Sequence, residues 1–326
     1  MSRPEQDHKA AITGRLDARI LNTDVPGLGP VTRGKVRDIY MPGDVRVLVA
    51  SDRISAFDRV LGTIPLKGQV LNQLAAFWFE TTEDIVANHV LAVPHPNATV
   101  CREAEPLPVE VVVRGYITGV TSTSLWTQYS AGVTRPYGLD LPKGLRKNDP
   151  LPEPVITPTT KAARGEHDVP TTEAAIVAEG LVDAALWTEV RQTALALYTR
   201  GAEVAARAGL ILVDTKYEFG VIDGKLALID EVHTPDSSRY WLADTYDETR
   251  SPRSLDKEHV RSWLKSVGYT GDGENPPIPD ALAVELAARY IHAYERLTQR
   301  TFEPAPQPVH DHLARALAPW SAGAQP

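Results

Sequence analysis

Between Gly34 and Ala50 the chain reads as strand, turn and strand: GKVRDIY, then Met41-Pro42-Gly43-Asp44, then VRVLVA. Over 69–80, QVLNQLAAFWFE repeats apolar residues at the spacing of one helix face. EVVVRGYI, from Glu110 to Ile117, is rich in β-branched residues and predicts a strand broken at Gly115. Pro, Gly and Lys crowd the stretch from Arg135 to Pro158, where irregular backbone is expected. Thr171-Thr172-Glu173 suits the cap of a short helix running to Gly180. A long helix is expected over 183–208, stopped by Gly209. Two strands, ILVDTKYEFGV and KLALIDEV, then meet at Asp223-Gly224, and helices near 256–267 and 280–300 precede a Pro- and Ala-rich end. Residues 1–15 read as a loose polar tail. Strands lead and mixed elements follow, so an α+β protein of two lobes around a cleft is expected.

Composition narrows the function more than the fold. The 326 residues are 43% hydrophobic and 23% charged, normal for a globular chain. The single cysteine, Cys101, excludes an internal disulfide framework and a cysteine-based zinc site, and a reducing cytoplasm is expected. The first residues lack the apolar core of a secretory signal, and no window approaches the roughly 18 apolar residues of a membrane span. A net charge of −8 argues against a nucleic-acid surface. Cations nevertheless cluster in Arg33-Gly34-Lys35-Val36-Arg37, which suits a small anionic ligand as well as a solvated turn.

The densest chemistry is Asp214-Thr215-Lys216-Tyr217-Glu218, which continues the apolar run Leu210 to Val213. Strand alternation puts Asp214, Lys216 and Glu218 on one face, as an edge strand with a wet face or as a ligand site. Register decides whether Asp230, at the end of the return strand, joins them. A two-residue loop at Asp223-Gly224 would pair Glu218 with Ile229 and send Asp230 to the other face. A three-residue loop, Ile222-Asp223-Gly224, sets Lys216 opposite Asp230, with Glu218 diagonal at roughly 7–8 Å. Only the second could hold Mg²⁺ between Glu218 and Asp230, with phosphate oxygens completing the shell, so the three-residue loop is predicted. Lys35 and Arg37, on one face of a strand, could press on a nucleotide's phosphates. Arg114 beside Gly115, with Ser122 and Ser124 beyond, suits a phosphate, and Arg239 offers a planar fork for phosphate or carboxylate. Asp236 could receive an ammonium. The run Ser51-Asp52-Arg53-Ile54-Ser55-Ala56-Phe57-Asp58 follows a buried-looking strand, where functional groups are often placed. P-loop, dinucleotide, serine-elbow and H-E-x-x-H motifs are all missing.

GKVRDIY (34–40), SDRISAFD (51–58), VVVRGYITG (111–119), TPTTKAARGEHD (157–168), VDTKYEFG (213–220) and IDEVHTPDSSRYW (229–241), in this order, strongly resemble the SAICAR synthetase family, in its longer, yeast-like form. The resemblance covers roughly 14–270. It implies a small β-rich nucleotide-binding lobe, here 16–115, and a larger α/β lobe with an antiparallel sheet, here 116–326, distantly like ATP-grasp enzymes and kinases. It implies a reaction in which ATP, the imidazole carboxylate CAIR and L-aspartate give ADP, phosphate and SAICAR, with Mg²⁺ as cofactor. By similarity, Lys35 and Arg37 would contact ATP phosphates, and Glu218 and Asp230 would hold magnesium. Arg114, Ser122 or Ser124, and Arg239 would bind the ribose phosphate and substrate carboxylates. Asp58, Asp214, Lys216 and Asp236 would line the imidazole and aspartate pockets, and Lys161 and Ser237 join the substrate set. Lys216 is expected to steady the transferred phosphoryl group and Asp214 to act as base for the amine. Partners are these small molecules, with no nucleic acid and no membrane, and a monomer is expected.

Overall fold

The structure, a computed structural model, describes residues 3–56, 59–161, 169–249, 252–255, 258–269, 271 and 273–321. Helix α1 (Arg3–Thr13) precedes strands β1 (Val31–Arg33), β2 (Arg37–Tyr40) and β3 (Val45–Ala50). A hairpin of β4 (Arg53–Ala56) and β5 (Arg59–Thr63) leads into α2 (Lys67–Thr81), and β6 (Val90–His95) and β7 (Ala98–Arg102) follow. Strand β8 (Glu105–Tyr116), helix α3 (Leu125–Ser130), strands β9 (Pro150–Ile156), β10 (Thr159–Thr160) and β11 (Val169–Pro170), and helices α4 (Glu173–Ala178) and α5 (Ala184–Arg207) come next. Strands β12 (Leu210–Ile222), β13 (Lys225–Ile229) and β14 (Ser238–Leu242) precede α6 (Ala243–Thr249), α7 (Glu258–Ser266), α8 (Asp280–Thr298) and α9 (Val309–Leu317).

All ladders between these strands are antiparallel, in two main sheets. One runs β1-β2-β3-β7-β6; the other runs β11-β10-β8-β12-β13, with β9 on β8 and β14 on β12. The chain changes sheet between β7 and β8. A single large core joins α2, α5 and α8 to the inner face of the second sheet, where Tyr217 and Phe219 are fully buried. A smaller core under the first sheet holds Tyr40, Val47, Val49 and Val100. No helix among the described residues is long and apolar enough to cross a membrane.

Caps form where local chemistry placed them. Thr172 Oγ1 accepts from the Ala175 N–H at 3.0 Å, and Gly209 closes α5 at φ +68°. One expectation fails because tertiary packing overrides local composition. The polar start is helical: α1 lies on α8, with Ile12 fully buried and His8 3.2 Å from Glu295. Most of 135–158 is irregular, as expected; the Pro-rich β9 within it pairs with β8 from the edge, where a missing N–H costs little. The Pro- and Ala-rich end contains α9, whose Val309, Leu313 and Leu317 fill the small core at helical spacing.

Gly68, in the first turn of α2, shows how closely this frame is fitted. An added Cβ would stand 2.3 Å from the Ala50 carbonyl oxygen and 2.8 Å from the Ser51 carbonyl carbon, backbone that cannot swing aside. Gly68→Ala is therefore expected to lower the unfolding free energy by about 3 kcal/mol despite alanine's better helix propensity. Urea denaturation measures this, and a stability equal to the parent's would show that α2 and β3 can separate cheaply.

Candidate active site

Strand β12 separates core from chemistry by alternation. Thr215, Tyr217 and Phe219 are buried on one face, while Val213, at a register shift against β14, packs separately with Trp241 and Tyr246. Asp214, Lys216 and Glu218 occupy the other, and β8 sets Arg114 opposite Asp214 and Glu110 opposite Glu218. Lys216 Nζ lies 2.7 Å from both Glu110 Oε1 and Glu218 Oε1, and Lys161 Nζ lies 2.7 Å from Glu218 Oε2. Burial would lower the Lys216 pKa, but Glu218, Glu110 and Asp230 outweigh it and raise it, so the ammonium keeps its proton. Burial pulls Glu218 upward, yet Lys216 and Lys161 win and hold it below the usual carboxylate range.

The predicted three-residue loop is not what forms. Glu218 pairs with Ile229 and Ile222 with Lys225, across a two-residue turn with Asp223 at φ +51° and Gly224 at φ +73°. Positive φ at both central positions matches the twist of an antiparallel pair, which favours this tight turn over the bulged one. Simple alternation would now send Asp230 away from Glu218. Instead β13 ends at Ile229, and Asp230 takes a left-handed backbone, φ +68°, that turns the chain. Asp230 and Glu218 thereby line the same cavity of about 470 Å³. The two acids meet through a backbone kink, not through strand register.

Lys35 and Arg37 reach this cavity from the first sheet. Lys35 is not on a strand, as expected from GKVRDIY, but in the turn before β2, because Gly34 N–H bonds the Arg37 carbonyl at 2.8 Å and folds the chain there. The Arg37 guanidinium bonds Asp230 and lies 2.7 Å from Glu231 Oε2. Burial raises the Asp230 pKa; Arg37 opposes it, and Glu218 and Glu231 add to it. Ile39, Leu48, Pro106 and Ile229 give the cavity an aliphatic part beside its charges. Asp236 also lines it, but its carboxylate already has an ammonium: Lys67 Nζ is 2.7 Å from Oδ2, and Tyr290 donates to Oδ1 at 2.9 Å. Ser237 lies beside it, its backbone carbonyl accepting from the Lys216 N–H at 2.9 Å.

A second cluster sits two residues back along β12, about 7 Å away on the same face. Arg114 donates from Nη1 to Asp214 Oδ2 at 2.9 Å and from Nε to Thr157 Oγ1 at 2.8 Å. Arg239 Nη1 approaches the same Asp214 oxygen at 3.4 Å. One carboxylate oxygen shared by two guanidiniums fits Asp214 for orienting them better than for accepting an amine proton. Of the two serines, Ser124 is buried, with its hydroxyl given to the Thr121 carbonyl at 2.7 Å, while Ser122 is exposed. Asp58 and the Glu166-His167-Asp168 group lie outside the described residues.

Sequence reasoning passed over several participants. Glu110 had a signal, since it stands four residues from Arg114 in one strand and so shares its face. Glu231 adjoined Asp230 but had no assignment. Lys67 carried no cue, because its partner is 169 residues distant. Tyr137 is held at φ +55° and donates to the Thr123 carbonyl at 2.6 Å, beneath the loop that carries Ser122.

The donor set suits Mg²⁺, which is usually held by one or two carboxylates with phosphate oxygens and water. Among the described residues there is no group of three or more His, Cys, Asp or Glu able to hold a metal unaided.

Known proteins bear on this geometry. The family model for SAICAR synthetase matches residues 30–277. A phosphoribosylaminoimidazole-succinocarboxamide synthase of Legionella pneumophila is 48% identical over 309 residues, covering 92% of this chain and 98% of its own. A relative in Agrobacterium fabrum, named putative phosphoribosylaminoimidazole-succinocarboxamide synthase 2, is 49% identical over 88% of this chain and 93% of its own. Among solved structures, SAICAR synthase from Saccharomyces cerevisiae complexed with SAICAR superposes with a TM-score of 0.77 at 33% identity, covering 87% of this chain and all of that one.

Proposed function

This chain belongs to the SAICAR synthetase family, and on that premise we propose how its side chains join L-aspartate to CAIR at the expense of ATP. The observation that carries the proposal is the single face of β12. It sets a charge cluster suited to a triphosphate beside an arginine pair suited to a phosphorylated acid.

The enzyme is an ATP-dependent carbon–nitrogen ligase of purine biosynthesis. A carboxylate resists an amine until one of its oxygens becomes a good leaving group. In the proposed sequence a CAIR carboxylate oxygen attacks the γ-phosphorus of ATP and ADP leaves, giving an acyl phosphate. The aspartate amine then attacks the acyl carbon, phosphate departs, and the nitrogen loses a proton. Such transfer depends on positioning and on neutralising phosphate charge. Lys35 and Arg37 hold the polyphosphate. Lys216, kept protonated between Glu110 and Glu218, steadies the phosphoryl group in transit. Arg114 and Arg239, oriented by Asp214, bind the ribose phosphate and carboxylate of CAIR, with Ser122 as a further donor. Mg²⁺ on Glu218 and Asp230 would supply charge neutralisation at the phosphates. Arg37, Lys161 and Lys216 neutralise these carboxylates when no nucleotide is bound, and turn to the phosphates when it is. On the same reading the enzyme works as a monomer in the cytoplasm.

Sharing an ATP cavity, a small-molecule kinase is the competing chemistry. ADP release, followed with each substrate omitted in turn, separates the two. Turnover is expected only when ATP, CAIR and aspartate are all present. ADP release at an undiminished rate without aspartate, with a phosphorylated product accumulating, would replace the ligase by a kinase.

A further inference from the structure

Ser51 and Arg53 do not line the cavity, yet they bond the backbone that bears Lys35. Arg53 is a buried guanidinium, 4% exposed. Its Nη2 donates to the Gly34 carbonyl at 3.1 Å and to Asp38 Oδ1 at 2.7 Å, and its Nε donates to the Lys35 carbonyl at 3.3 Å. Nη1 bonds the Leu21 carbonyl and lies 3.4 Å from Asn22 Oδ1. The next carbonyl in the loop, Val36, accepts from the Ser51 N–H at 3.0 Å and from its hydroxyl at 2.8 Å. Three consecutive carbonyls are thus drawn to one side by two residues of the same SDR segment.

Peptide planarity gives this grip a consequence. In a trans peptide the N–H points opposite to the preceding C=O. With the Gly34 and Lys35 carbonyls held on Arg53, the N–H groups of Lys35 and Val36 are turned the other way. Gly34, Lys35, Val36 and Arg37 all line the cavity, and Arg53 does not. Successive amides facing one concavity form an anion cradle. We propose that Ser51 and Arg53 are positioning residues for the nucleotide: they pin the Gly34-Lys35-Val36 loop so that its backbone amides, with the Lys35 ammonium, face the triphosphate. This rests on the reading of the cavity as the ATP site. The guanidinium is required because it spans the loop's two carbonyls, the Leu21 carbonyl and a carboxylate at fixed angles. Asp38 keeps it in place, being fully buried, with its other oxygen taken by the Thr23 N–H at 2.6 Å and the Thr23 hydroxyl at 2.8 Å.

The test uses Arg53→Lys, which keeps the charge beside Asp38 but cannot reach both carbonyls. Ser51→Ala removes one of the two donors on Val36 and spares the ion pair, so it stays informative if the lysine variant folds poorly. Affinity for ADP with Mg²⁺ is measured by calorimetry, and KM is measured for each substrate. ADP affinity is expected to fall about tenfold in Arg53→Lys and about threefold in Ser51→Ala. KM for ATP should rise in step, while KM for CAIR and aspartate stay within about twofold. A purely structural role would depress all three substrates together or only the melting temperature, and either result overturns the proposal. Lys35→Met is the control for the site itself. If it weakens ADP while both other variants bind normally, the proposal fails and the ATP site stands. If none of the three weakens ADP, both fail.

Discussion

Glu218→Gln is expected to lower kcat by about a thousandfold or more while leaving the protein folded. The substitution keeps volume and removes one charge. In the folded chain that charge is shared: Oε1 stands 2.7 Å from Lys216 and Oε2 2.7 Å from Lys161. Losing it would take away a proposed magnesium ligand and one of the two acids that align Lys216 on the phosphoryl group. Stability should change little, because Lys216 keeps Glu110 at 2.7 Å and no buried cation is left alone. Steady-state kinetics at saturating magnesium and a urea titration together check this. A variant within about tenfold of the parent rate would remove Glu218 from the transfer step.

Arg114→Lys is expected to raise KM for CAIR by about thirtyfold or more, the equivalent of about 2 kcal/mol, with KM for ATP within about threefold. The guanidinium spends Nε on Thr157 at 2.8 Å and Nη1 on Asp214 at 2.9 Å, which aims the rest of its fork along the face of β12. An ammonium is a point with rotatable donors and cannot span both anchors while presenting a further pair to a phosphate. Initial rates with CAIR varied at fixed ATP and aspartate give the result. An unchanged KM for CAIR would move the ribose-phosphate site away from this arginine.

Much of the chemistry was legible before the fold. Alternation put Asp214, Lys216 and Glu218 on one face of a strand, and the structure has them there beside Arg114 of the neighbouring strand. Helix periodicity found α2 and α5, and the Thr172 cap and Gly209 stop fall where turn chemistry put them. What escaped was set by distant partners. Lys67 finds Asp236 across 169 residues, and Arg53 finds its Asp38, Gly34 and Lys35 partners only because the hairpin after β3 packs under the β1–β2 turn.

The pairing of Glu218 and Asp230 shows where the division lies. Residue types, their order and their two-residue period are local properties, so the sequence alone determined the family, the reaction and one face of reactive side chains. Whether the second acid joined that face depended on a two-residue turn and a left-handed aspartate, and alternation carried past the strand's end gives the opposite answer. Only the assembled sheets decided it. A non-glycine backbone at φ +68° is intrinsically unfavourable, and it persists where tertiary contacts, here the Arg37 guanidinium arriving from the other sheet, hold the side chain in place.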